Sequence, residues 1–190
     1  MEDIKYFETI KCDDLEVFNL EYHNKRVANT IGLNIDLQEY IYPISAELLR
    51  CKVIYDKNEI IDVQYFPYIK REIKSFKIIN CDEIDYSKKY LDRENLDNLF
   101  EKKEDCDEII IVKNEIVTDT SIANIAVFYE GQWLTSKECL LKGTTRTRLL
   151  EERKIIEKDI SLDMLKNASQ IALMNAMIGF DIIEHYSFKI

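Results

Sequence analysis

Apolar positions along this chain follow two rhythms. In the first half, β-branched and aromatic residues that alternate with polar ones, or stand in short unbroken rows, predict strands over 4–11, 16–20, 50–55, 60–67 and 72–79. Between the second and third of these, 21–31 and 37–48 carry apolar side chains at helical spacing. In the second half, 92–103 predicts a helix with Leu96, Leu99 and Phe100 on one face. Strands are then expected over 108–113, 123–129, 132–135, 171–175 and 181–188, and helices over 145–154 and 162–169. Strands outnumber helices in both halves, so the expected class is α+β (mixed α/β). No Gly-x-Gly-x-x-Gly is present, so a Rossmann-type dinucleotide fold is not indicated. At 190 residues the chain can bury one large core or two small ones.

One stretch interrupts the pattern. The run Val117, Thr118, Asp119, Thr120, Ser121, Ile122, Ala123, Asn124 sets a carboxyl, three hydroxyls and an amide between the apolar rows 108–112 and 125–129. Polar groups wedged between buried strands need partners, or their desolvation is uncompensated. Two readings are open. The run is a tight turn whose Asp, Thr and Ser satisfy their own backbone, or it is part of a site.

The rest of the chain supplies the context. V-T-D-x-S-x-x-N-I over 117–125 resembles the V-T-E-x-S-x-x-N-hydrophobic signature of class IV (fold-type IV) pyridoxal-phosphate enzymes. That superfamily contains branched-chain and D-amino-acid aminotransferases and aminodeoxychorismate lyase. Four further matches fall in its order. Phe7-Glu8-Thr9-Ile10 with Tyr22-His23-Asn24-Lys25-Arg26 is similar to the F-E-T opening and the H-x-x-R helix. Lys89-Tyr90-Leu91-Asp92-Arg93 is similar to the segment carrying the cofactor lysine, and Gly143-Thr144-Thr145-Arg146 to a G-I-T-R turn. Met174-Asn175-Ala176-Met177 stands where a last phosphate-facing loop is expected. The resemblance implies a compact two-domain, D-amino-acid aminotransferase-like fold with pyridoxal 5'-phosphate between the domains. It places a smaller N-terminal α+β domain over 1–84 and a larger C-terminal domain over 85–190, divided near the polar break at 81–86.

The cofactor needs an amine for its aldehyde, donors for its phosphate and an acid near its ring nitrogen. On the resemblance, Lys89 is the amine and catalytic residue, because Lys89 and Arg93 reproduce a K-x-x-x-R spacing; Lys88 is the neighbouring alternative. Arg26 corresponds to the phosphate arginine, able to bind two oxygens at once. Asp119 stands where the family has a glutamate facing the ring nitrogen, one methylene shorter but with the charge kept. Gly143, Thr144 and Thr145 precede a predicted helix, whose first N–H groups suit a phosphate and whose threonines also suit an ordinary cap. Arg93, Asn124, Asn175 and Ala176 complete the expected cofactor-binding set, and Tyr86 is a candidate substrate-pocket residue. Asn-Ala at 175–176 and the Lys89–Arg93 spacing resemble aminodeoxychorismate lyases, which convert 4-amino-4-deoxychorismate to 4-aminobenzoate and pyruvate on the route to folate. The alternatives are a branched-chain or D-amino-acid aminotransferase, and a non-catalytic cofactor-binding homologue. His23 and His185, the only histidines, are expected to be structural.

Charge and cysteine usage narrow the setting. A formal net charge of −10 argues against nucleic acid or an anionic membrane as partner, leaving a small-molecule substrate. No apolar stretch is long enough to span a bilayer, and the N-terminal Met-Glu-Asp-Ile-Lys does not read as a leader. Five cysteines, odd in number and without Cys-x-x-Cys spacing, predict free thiols in a reducing cytoplasm and no metal site. Aromatic and aliphatic residues crowd the N-terminal half (Tyr40, Ile41, Tyr42, Ile44, Tyr65, Phe66, Tyr68) beyond what so small a domain would bury. With the resemblance, this implies a twofold homodimer whose partner's N-terminal domain approaches the cofactor cleft.

Overall fold

A computed structural model describes residues 4–190. The first three residues of the N-terminal run read above lie outside them. The chain forms two compact units. One contains the residues up to Lys70 together with Lys88–Asp92; the other contains Arg71–Ser87 and Arg93–Ile190.

The first unit is an antiparallel sheet with one helix. Strands β1 (Tyr6–Asp13), β2 (Glu16–Val17), β3 (Leu49–Tyr55) and β4 (Ile60–Pro67) stand in the order β2-β1-β3-β4. Asp14 and Leu15, both with positive φ, turn β1 tightly into β2. The chain leaves β2 for helix α1 (Leu20–Ile31) at Asn19, itself left-handed, which is why the strand expected over 16–20 is so short. Gly32, at φ 76, closes α1 by donating its N–H to the Ala28 carbonyl. One face of α1 buries Tyr22, His23 and Val27. The core gathers Ile10, Cys12, Val27, Leu37, Ile41, Cys51, Val53 and Tyr55.

The helix expected over 37–48 reduces to a 3-10 turn at Leu37–Glu39. Leu37 and Ile41 are buried four residues apart, which produced the helical spacing. Pro43 then cannot donate to a helical ladder and disfavours helical backbone at Tyr42. Segment Lys88–Asp92 joins this unit through β1. Phe7 N–H donates to the Lys89 carbonyl (3.0 Å), Leu91 N–H to the Lys5 carbonyl (2.9 Å), and the Tyr6 and Tyr90 rings pack at 5.5 Å.

The second unit opens with β5 (Ser75–Asn80), crosses through α2 (Glu94–Phe100), and returns in parallel as β6 (Glu108–Lys113). It continues through β7 (Ile116–Thr120), β8 (Asn124–Tyr129), β9 (Gln132–Thr135), α3 (Thr144–Glu151) and β10 (Ile156–Glu157). Helix α4 (Leu162–Asn167), β11 (Gln170–Asn175), β12 (Gly179–Ile183) and β13 (Ser187–Lys189) complete it. The sheet runs β10-β9-β8-β7-β6-β5-β13, with β11 pairing both β8 and β12. Its core includes Phe76, Ile78, Ile110, Ile125, Val127, Ile160, Leu165 and Ile171. Because Phe76 and Ile78 are part of that core, β5 packs here rather than with the N-terminal strands. The two units therefore do not meet at a single cut near residue 84.

Two readings of local pattern change. The polar run splits: 117–120 belongs to β7, and only Ser121–Ala123 turn. Thr118 satisfies its hydroxyl on the Ile111 carbonyl, and Thr120 on that of Ala123, so these β-branched polar residues sit comfortably in a buried strand. The strand expected over 181–188 divides into β12 and β13, because His185 takes φ 57 between them.

Candidate active site

In the first unit the candidate residues centre on one buried carboxylate. Glu8, on β1, is fully buried. Its Oε1 accepts from Arg26 Nε at 2.9 Å, and its Oε2 accepts from Arg26 Nη2 and from His23 Nδ1, the last at 2.6 Å. His23 and Arg26 stand three residues apart on α1, so the helix turns both toward β1. Burial pushes the Glu8 pKa up, but the Arg26 charge and the His23 bond outweigh it and hold Glu8 at about 2. His23 is held below its ordinary value, by burial first, against the opposing pull of Glu8. A neutral His23 therefore donates from Nδ1 to an ionised Glu8. Its Nε2 is buried without a hydrogen-bond partner.

Lys89 bears on the same cluster, since its charge helps to keep His23 low. Its ammonium lies 4.5 Å from the Phe7 ring centroid and its backbone is fastened to β1. Lys88 has a different attachment: its Nζ donates to the Thr30 carbonyl at 2.8 Å, in the last turn of α1. The two neighbouring lysines thus separate by contact, Lys88 tying a helix end and Lys89 lying over the Phe7 ring, near enough to His23 for its charge to act there. Glu8 and His23 were not among the expected site residues. The signal for Glu8 was the F-E-T match; a helix motif alone could not reveal that His23 donates to it.

In the second unit, Asp119 on β7 is buried. Its Oδ1 accepts from Asn124 Nδ2 (2.8 Å) and its Oδ2 from the Leu141 N–H (2.9 Å). Asn124 Nδ2 also donates to the Leu141 carbonyl at 2.8 Å, so one amide ties β7, β8 and the approach to α3 together. Burial raises the Asp119 pKa to about 6 against these hydrogen bonds and the Arg146 charge. Gly143 is required by space, since a Cβ there would overlap Asn124 Oδ1. Thr144 and Thr145 are buried in the first turn of α3, whose leading N–H groups have no partner within the helix. Arg146 is structural, its Nη2 donating to the Ser136 carbonyl (2.8 Å) and to Glu157 (2.6 Å).

The remaining candidates shape loops. Arg93 donates from Nη2 to the Ser121 carbonyl (2.9 Å), pairs with Asp97, and lies 5.7 Å from the Tyr86 ring centroid. Glu108 takes the Ser121 N–H from the other side at 3.3 Å. Asn175 accepts from the Met177 and Ile178 N–H groups and donates to the Ile122 carbonyl, so its side chain builds the turn that presents Ala176.

Comparison with known proteins gives this geometry a family. The amino-transferase class IV model matches residues 89–185. An uncharacterised protein of Haemophilus influenzae is 39% identical over 160 residues, 84% of each chain. A crystal structure from Haemophilus somnus 129pt, provisionally named 4-amino-4-deoxychorismate lyase, superposes with a TM-score of 0.86 at 36% identity, covering 94% of this chain and 99% of that one. A hypothetical aminotransferase of Mycobacterium tuberculosis in its PLP-bound form shares the fold, with a TM-score of 0.81 at 15% identity over 96% of this chain and 81% of that one. The chain belongs to the class IV aminotransferase family, whose enzymes depend on pyridoxal phosphate.

The residues fit that cofactor. Asp119 is a buried carboxyl with no ion-pair partner among the described residues, and burial raises its pKa; a protonated ring nitrogen is a cation of the kind such a carboxyl would pair with. Both of its hydrogen bonds leave further lone pairs on the carboxylate. No helix among the described residues is long and apolar enough to cross a membrane.

Proposed function

We propose that this chain is a pyridoxal-phosphate-dependent lyase that converts 4-amino-4-deoxychorismate to 4-aminobenzoate and pyruvate. The observation that carries the reading is the likeness to the Haemophilus somnus protein along nearly the whole of both chains. Asn175-Ala176 supports it, because the loop after β11 offers a methyl group and backbone where an aminotransferase of this class commonly carries a hydroxyl. In this reading Lys89 supplies the amine that bonds the cofactor aldehyde and the base that moves protons. Arg26 would hold the phosphate, and the α3 N-terminus at Gly143, Thr144 and Thr145 carries N–H groups of the kind that bind one. Asp119, oriented by Asn124, would pair with the ring nitrogen. Arg93 and Asn175 shape the walls, with Ala176 contributing backbone and Tyr86 facing substrate. Pyridoxal phosphate, when bound, supplies an electron sink.

The test pairs two assays. The enzyme is given aminodeoxychorismate, generated in situ from chorismate and glutamine by a synthase, and 4-aminobenzoate and pyruvate are measured. In parallel, amino acids are supplied without an acceptor, and conversion of the cofactor to its amine form is followed by absorbance. Formation of 4-aminobenzoate is expected; rapid half-transamination without it would establish the aminotransferase instead. Borohydride treatment should fix the cofactor on Lys89. Labelling of Lys88, or none, would overturn the site assignment and bring forward the non-catalytic homologue.

The same reading has the protein acting in the cytoplasm as a homodimer. Support for the dimer comes from the first unit, where Tyr42, Ile44 and Ile69 are 68%, 73% and 87% exposed.

A further inference from the structure

We infer that Glu8 is a positioning residue for the cofactor's phosphate, acting through Arg26; this rests on the reading above in which Arg26 holds that phosphate. A fully buried carboxylate on a strand whose other positions on that face are Tyr6, Ile10 and Cys12 is an expensive choice for packing alone. Its bonds explain the choice. Arg26 meets Glu8 through Nε and Nη2 together, a two-point fork that fixes the guanidinium plane and determines which edge a phosphate would meet. His23 Nδ1 closes on the same Oε2 at 2.6 Å, so Glu8 is itself clamped from one helix face. His23 is neutral here and adds orientation without charge.

The arrangement has a consequence for anions that separates geometry from charge. Glu8 cancels the Arg26 charge, so the pair offers a phosphate well-aimed N–H groups rather than net attraction. Removing the Glu8 charge would make the cluster more positive while releasing the guanidinium. If charge governed, anion affinity would rise; if orientation governs, it falls. We expect the fall.

The experiment titrates purified full-length protein with pyridoxal phosphate and with unphosphorylated pyridoxal, following absorbance, in wild type, Glu8→Gln and Glu8→Asp. Glu8→Gln should weaken pyridoxal phosphate by about tenfold or more and pyridoxal by less than about twofold. Glu8→Asp keeps the charge but withdraws the fork, and should show a smaller loss confined to the phosphorylated ligand. It also serves if Glu8→Gln does not fold. In an Arg26→Lys background, adding Glu8→Gln should have little effect on either ligand, because the fork is already gone. Equal weakening of both ligands, unchanged or tighter pyridoxal phosphate binding, or full additivity with Arg26→Lys would overturn the proposal. Should Arg26→Lys alone leave the ratio of the two affinities unchanged, the phosphate role of Arg26 fails, and the inference about Glu8 with it.

Discussion

Two carboxyls in this protein are buried to similar degrees and respond in opposite ways. Glu8 has a guanidinium and an imidazole; Asp119 has an amide and a backbone N–H. The Glu8 pKa, lowered to about 2, means that its folded-state bonds stabilise the protein above about pH 4.5 and are lost as pH falls from there toward 2. The Asp119 pKa, raised to about 6 from 3.8, works the other way: the folded state binds the proton more tightly, so stability without cofactor declines as pH climbs from about 4 to 6. A displacement of that size is worth about 3 kcal/mol. Asp119→Asn should therefore raise the melting temperature of cofactor-free protein at pH 7 and flatten its decline between pH 4 and 6. The same change should lower turnover by roughly a hundredfold, as loss of one preorganised electrostatic group does. A variant that loses both stability and activity would contradict this account. Gly143→Ala makes a second residue-level case: the added methyl displaces the Asn124 amide that holds Asp119, and calorimetry should show a loss of about 1–3 kcal/mol.

Among the elements, the short segment Lys88–Asp92 has the most consequences for its length. It is too brief for a named strand, yet it pairs with β1 and stacks Tyr90 on Tyr6. Lys88 and Lys89 therefore have separable effects. Lys88→Met removes the tie to the last turn of α1 and should cost about 1 kcal/mol in denaturant unfolding while leaving borohydride labelling intact. Lys89→Met should abolish labelling with little change in the unfolding midpoint. The helix expected over 37–48 illustrates how a period misleads when a single buried pair, Leu37 and Ile41, supplies it and a proline follows. Residues 117–120 illustrate the converse. Their hydroxyls looked like turn chemistry, but β-branched side chains that can bond neighbouring carbonyls are compatible with a central strand.

For the molecule as a whole, the proposed homodimer makes the plainest prediction. Exposed Tyr42, Ile44 and Ile69 on the first unit are apolar surface of a kind that association removes from water. Light scattering at micromolar concentration should give twice the chain mass, and Ile44→Lys with Ile69→Lys should shift the protein toward monomer. A fully active wild-type monomer would refute the dimer.

What the sequence determined by itself was the material that depends on neighbours in the chain: the places of most strands and helices, from hydrophobic period, and the family, from motifs such as 117–125 and 143–146. Asp119, Gly143 and Lys89 became candidates in this way, because each belongs to a short contiguous pattern. The tertiary structure alone decided the partners. Glu8 meets Arg26 and His23 only because β1 and α1 pack together; Asp119 meets the Leu141 N–H only because the approach to α3 returns to β7; and β5 joins the second unit because its partners, β6 and β13, come later in the chain. Backbone donors look alike in every sequence, and a buried charge is tolerated only where distant elements bring its counterpart. Those pairings are therefore properties of the packed fold.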